Sequence, residues 1–215
     1  MSLGHIKIIA FDRDQTLYDD FSAVGGLSPM ESGHQDLING MDGHLFNGVE
    51  AMLRELKARG YVLALATSGN QKGADLFVAK KKLHDVFTTV SGGCDKYAVV
   101  DDLAQRHGVK PYQVMFVDDQ HDFGYLRDYH MRMRMRGLSD ARGPLVVPAW
   151  NFMRGDVARV QKDIDASDAK YPGTMFIQAV ASPSGIFAAI DRANAEIEKD
   201  LQARNVYTPP QHPHF

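Results

Sequence analysis

The chain has 215 residues, 44% of them hydrophobic and 24% charged, with a net charge of −3. That length supports one large domain, or one domain with an appendage, around a real buried core, and the charge balance gives no reason to expect a nucleic-acid or membrane binder. No apolar run approaches the 18 residues a membrane span requires, no signal peptide is expected at the N-terminus, and the single cysteine, Cys94, excludes an internal disulfide and fits a reducing, cytoplasmic setting.

The chain opens with an apolar run at residues 5–11 that ends abruptly in Asp12-Arg13-Asp14-Gln15-Thr16. Such a run reads as a buried strand whose end opens into a polar site. Two carboxylates that close repel unless a cation or a specific chemistry accounts for them. Residues 18–46 are glycine-rich and aperiodic, which predicts a long loop or small flap with room for a short hairpin or helix. Asn47 to Arg59 reads as a helix: Asn47 and Glu50 have capping-box spacing, Gly60 stands at the C-terminal cap, and Val49, Met52, Leu53 and Leu56 form one apolar face.

Tyr61 to Ala66 predicts a second buried strand, ending in Thr67-Ser68-Gly69-Asn70. A helix over 71–83 and a short strand over Val86 to Val90 follow, with Ser91-Gly92-Gly93 as a break. A helix over 95–107 leads into the strand Val114 to Val117, which ends in Asp118-Asp119-Gln120-His121-Asp122. A further helix is expected from Asp122. Leu145 to Val147 predicts a fifth strand bounded by Pro144 and Pro148, a helix is expected near 151–166, and Met175 to Val180 predicts a sixth strand. Ser184 to Ala203 reads as a helix with Ile186, Ile190, Ala193, Ile197 and Leu201 on one face, and the tail from Thr208 is expected to fray.

Alternating strands and helices argue for an α/β fold, a Rossmann-like three-layer sandwich around a mainly parallel sheet. Right-handed crossovers then bring the C-terminal strand ends to one edge, where sites in such folds lie. Three polar clusters fall at predicted strand ends: Asp12 and Asp14, Thr67 and Ser68, and Asp118, Asp119 and Asp122. The expected division is a catalytic core over 1–150 and a C-terminal strand and helix extension over 151–215, packed on that core.

These clusters resemble the motifs of the haloacid dehalogenase-like superfamily of phosphohydrolases. FDRDQTL is similar to its Asp-x-Asp-x-Thr strand end, LALATSG to its strand ending in Thr or Ser, Lys96 to its lysine at a helix start, and MFVDDQHD to its acidic strand end. The resemblance covers residues 5 to about 130. It implies a Mg²⁺-dependent phosphomonoesterase in which Asp12 is the nucleophile and forms an aspartyl phosphate. Asp14 would protonate the leaving oxygen and then activate water. Thr67, with Ser68, would bind phosphate, and Lys96 would offset charge. Asp12, the backbone carbonyl of Asp14, and Asp119 would hold the Mg²⁺. Asp118 and Asp122 stay open as direct ligands, ligands through water, or supports behind the ligands.

An Asp at position 14 points to phosphoryl transfer, because the dehalogenase branch of the family lacks it. Gln15 departs from the glycine common there. Neither motif gap has room for a full cap domain, so a capless or minimally capped member is expected, open to a small or macromolecular phosphorylated substrate or closed by a second copy in a homo-oligomer. A catalytically quiet domain that binds a phosphorylated partner and a phosphotransferase are the alternatives. Residues 123–154 carry six Arg and two Asp, read as a solvated edge before a basic rim for polyanions. Cys94 reads as a small buried filler, and His121 as a helix-start residue before a ligand.

Overall fold

The computed structural model describes residues 3–19, 33, 43–94, 96–119, 146–149, 158, 161–162, 165–166, 176–180 and 182–206. The expected helix from Asp122, the basic stretch up to Leu145, His121, Asp122 itself and the tail lie outside them.

Eight strands, four α-helices and a short 3-10 helix at Pro111–Gln113 are described. In chain order the strands and α-helices are β1 (Ile8–Phe11), β2 (Tyr18–Asp19), β3 (His44–Leu45), α1 (Val49–Ala58), β4 (Val62–Thr67), α2 (Gln71–Lys80), β5 (Thr89–Gly92), α3 (Lys96–Arg106), β6 (Val114–Val117), β7 (Val146–Ala149), β8 (Phe176–Ala179) and α4 (Gly185–Val206). Six of the strands form one sheet in the order β5-β4-β1-β6-β7-β8, and all its pairings are parallel. The chain runs outward from β1 to β4 and β5, then returns to place β6 on the other side of β1. The crevice at the carboxyl ends of β1 and β6 is therefore a topological switch point.

Alternation along the strands separates two apolar layers. Ile9, Phe11, Leu63, Leu65, Met115 and Val117 pack with residues of α1, α2 and α4, while Ile8, Ala10, Ala64, Ala66, Val114 and Phe116 pack with Val99, Val100, Leu103 and Ala104 of α3. The three-layer α/β/α architecture follows. The C-terminal residues belong to this same core: β8 extends the sheet, Ile186, Ile190, Ala193 and Ile197 of α4 are buried beside Ile6, and the Ile6 N–H donates to Asn194 Oδ1.

Several local readings need correcting. The expected Asn47 cap does not form. The chain turns into α1 through Gly48 at φ 84°, with no side-chain cap, and that left-handed turn is a conformation glycine adopts at no steric cost. Gly60, at φ 95°, does close the helix as expected, its N–H donating to Lys57 O. The strand expected at 86–90 starts later. Val86 and Phe87 are buried from a turn folded back on Leu83, and the ladder begins at Thr89. Ser91 and Gly92, expected to break the chain, are part of β5: a Cβ on Gly92 would lie 2.5 Å from the Gln71 backbone, so only glycine lets α2 approach this strand. Pro148 lies inside β7. That strand meets β6 through one register pair, Met115 with Val146, so a missing N–H two residues on interrupts little of that ladder. The segment from 18 to 46 is described at its ends, where β2 and β3 form an antiparallel pair.

Candidate active site

Register alone brings the first two carboxylates together. Phe11 is level with Leu65 and Val117, so Asp12 and Asp118 each stand one residue beyond the ladder on neighbouring strands. The Asp12 N–H donates to Val117 O at 2.9 Å, extending the sheet pattern to this point. α3 begins at Lys96, whose ammonium lies 2.9 Å from Asp12 Oδ1 and 2.7 Å from Asp118 Oδ2. Carboxylate oxygens of Asp12, Asp118 and Asp119 all lie within 4.8 Å of one another. Thr16 ties the group together. Its hydroxyl accepts from the Asp119 N–H at 2.9 Å and lies 3.4 Å from both Asp12 Oδ2 and Asp119 Oδ1.

The electrostatics are those of crowded buried acids. Burial, then the neighbouring Asp118 charge, pushes the Asp12 carboxyl well above its usual range, although Lys96 pulls the other way. Asp119 is pushed up to about 7, again by burial first and Asp118 second. Burial alone would lower the Lys96 pKa, but Asp12 and Asp118 outweigh it and the ammonium is held charged. Three carboxylates and one ammonium leave two negative charges uncompensated when all are ionised. A divalent cation with a preference for oxygen ligands fits that donor set and that charge.

Asp14 takes a different position. Its carboxylate is held by Arg13, with Nε 2.8 Å from Oδ1 and Nη2 3.0 Å from Oδ2, so its oxygens face the guanidinium. Thr67 is fully buried at the end of β4, and its hydroxyl accepts from the Gly69 N–H at 3.1 Å. Ser68 is exposed in the same turn. Cys94 is half-buried, its thiol 3.3 Å from the Thr67 carbonyl. The structure thus brings Asp12, Asp118, Asp119 and Lys96 into one cluster, with Thr67 and Ser68 at the neighbouring strand end and Asp14 beside Arg13. Two residues carried no role in the sequence reading. Thr16 had a visible signal, a hydroxyl closing the first motif. Arg13 had only its place, a cation between two acids at the end of an apolar strand.

Comparisons with known proteins bear on the fold. The haloacid dehalogenase-like hydrolase family matches residues 31–125, a span that holds Thr67, Lys96 and Asp119 and begins after Asp12. The phosphoglycolate phosphatase of Synechococcus elongatus is 29% identical over 79 residues, which cover 35% of this chain and 37% of that protein. The chain therefore spans little more than a third of the length of that relative. Among solved structures, a haloacid dehalogenase-like family hydrolase from Streptococcus pneumoniae superposes with a TM-score of 0.53 at 18% identity, over 86% of this chain and 98% of that one. The L-2-haloacid dehalogenase from Xanthobacter autotrophicus superposes at 0.54 and 16% identity, over 84% and 96%. At such identities the likeness is one of fold, and a fold shared by a dehalogenase leaves the chemistry to the side chains.

Proposed function

We propose that this member of the haloacid dehalogenase-like superfamily is a Mg²⁺-dependent phosphomonoesterase working through an aspartyl phosphate on Asp12. The observation that carries the reading is the Lys96 ammonium bridging Asp12 and Asp118, with Asp119 at the third corner, at the switch point of the sheet. Asp12, Asp118 and Asp119 would hold the metal, which when bound neutralises charge on the carboxylates and the phosphoryl group.

The rest is done by the chain. An Asp12 carboxylate oxygen attacks phosphorus and the ester P–O bond breaks. The departing oxygen takes a proton from Asp14. Water then attacks the phosphorus of the acyl phosphate and gives a proton back to Asp14, and the P–O bond to Asp12 breaks to release inorganic phosphate. Lys96 keeps the Asp12 carboxylate aimed and stabilises negative charge that develops on the phosphoryl oxygens. The Thr67 hydroxyl can donate its own proton to a phosphoryl oxygen while it accepts from Gly69. Asp14 supports hydrolysis over carbon–halogen cleavage, because an acid–base group serves an oxygen leaving group and a halide does not need one. The partial likeness to a phosphoglycolate phosphatase supports a phosphorylated substrate without identifying it.

Release of p-nitrophenol from p-nitrophenyl phosphate, followed with Mg²⁺ and with EDTA, tests the reading. Release should require the metal and fall at least about a thousandfold in Asp12→Asn. Equal release in EDTA, or near-wild-type turnover by Asp12→Asn, would refute it.

A further inference from the structure

We propose that Arg13 is a positioning residue: its guanidinium fixes the Asp14 carboxylate by a two-point clamp and is itself braced by the turn that follows Thr67. The inference rests on the acid–base role of Asp14 proposed above and goes beyond it to the group that controls it.

Three observations converge. The first is the clamp, two parallel N–H donors of one rigid fork on both oxygens of Asp14, at 2.8 and 3.0 Å. Such a pair sets orientation as well as proximity. The second is the burial of Arg13, which is 3% exposed although it sits in a polar turn. Among the described residues, its buried Nη1 has no hydrogen-bond partner. The third is the bracing. A Cβ on Gly69 would lie 3.0 Å from Arg13 Nη2, 3.6 Å from Cζ and 3.3 Å from Thr67 Oγ1. The bare Gly69 backbone lets the guanidinium lie against the turn that holds Thr67. Arg13 thereby links the group that serves the leaving oxygen to the strand end that faces the phosphate. A carboxylate one-third exposed would otherwise sample several rotamers.

The test is the dependence of kcat/KM on leaving-group basicity, measured with aryl and alkyl phosphates at saturating Mg²⁺. A basic leaving group needs a placed acid, and p-nitrophenolate hardly does. Arg13→Met should steepen the dependence, with an alkyl phosphate losing at least about tenfold more than p-nitrophenyl phosphate. Arg13→Lys should restore little, because an ammonium cannot grip both oxygens. Asp14→Asn should show the same steepening, and the double variant should be no steeper than Asp14→Asn. A wild-type or a shallower slope in Arg13→Met beside a steep one in Asp14→Asn overturns the positioning role alone, the shallower one meaning that the guanidinium holds Asp14 ionised and opposes the proton transfer. A flat slope in Asp14→Asn overturns the acid–base role of Asp14, and the clamp with it. Should Arg13→Met fail to fold, Arg13→Lys carries the test, because an ammonium cannot grip both oxygens: a steeper slope supports the proposal and a wild-type slope overturns it.

Discussion

A carboxylate one-third exposed and a guanidinium almost wholly buried do not suffer equally from losing each other. In Arg13→Met the stranded Asp14 carboxylate turns to water, and the apolar replacement fits a site that is already dry. In Asp14→Ala the stranded group is a buried cation. Removing the partner of a buried charge strands that charge away from water and costs far more than removing the partner of a charge that water can reach. Asp14→Ala should therefore lose roughly 3 kcal/mol of unfolding free energy and Arg13→Met about 1 or less, an order that urea titrations of both variants check. The same asymmetry explains what the sequence concealed. The places of Asp12, Thr67 and Asp119 were legible because polar residues are conspicuous at the ends of apolar strands, and Lys96, at a helix start, was legible only through the family resemblance. Arg13 was not, because a cation between two acids in a polar turn reads as solvated, and its burial is created by residues distant in the chain, Gly69 among them.

At the scale of the element, the turn leaving β1 carries a local conflict. Gln15 adopts φ 56°, its N–H donates to Tyr18 O, and the turn steers the chain into β2. A left-handed conformation costs an L-residue about 1–2 kcal/mol, whereas the extra chain entropy of a glycine costs about 0.5–1. Gln15→Gly should thus gain about 0.5–1 kcal/mol, visible as a higher thermal midpoint, and Gln15→Val should lower it. The motif glycine that this chain lacks has here a backbone reason. Tyr18, two residues past the turn's hydroxyl, is fully buried, and its phenol oxygen accepts from the Gly43 N–H at 2.7 Å. Tyr18→Phe would leave that amide buried and unpaired, and should cost about 1–3 kcal/mol in the same melts. Elements with one dominant signal were legible: β6 lies where the apolar run VMFV predicts, and the buried face of α1 is Val49, Met52, Leu53 and Leu56. Ends set by tertiary contact were not. Val86 and Phe87 are apolar because they plug the core from a turn, which a reading for buried strands cannot separate from β5.

For the whole molecule, the sheet creates a fault that a cation would repair. Folding buries Asp12, Asp118 and Asp119 around one lysine, so two negative charges stay uncompensated when all three ionise. The carboxyls of Asp12 and Asp119 are raised in the fold, the latter to about 7, whereas in the unfolded chain they titrate near 3.8. Between those values the folded state binds more protons than the unfolded one. Unfolding free energy must then fall as pH rises, because its slope follows the protons bound in the unfolded state minus those in the folded state. The contribution of these groups is fully present below the unfolded pKa, and the share of Asp119 is lost as pH passes through about 7. Metal-free protein should therefore melt at a lower temperature at pH 8 than at pH 6. Mg²⁺ should reverse the trend, because it binds the ionised carboxylates and only the folded chain assembles them. Its stabilising effect should be small at pH 6, where it must displace protons, and larger at pH 8. Asp119→Asn should flatten both dependences, since it removes the group that titrates near 7 and one donor together. Thermal melts of wild type and variant at the two pH values, in EDTA and in Mg²⁺, check the prediction. Metal-free stability that rises from pH 6 to pH 8, with no gain from Mg²⁺ at either, would mean that this cluster holds its charge by other means and that the cation-site reading is wrong.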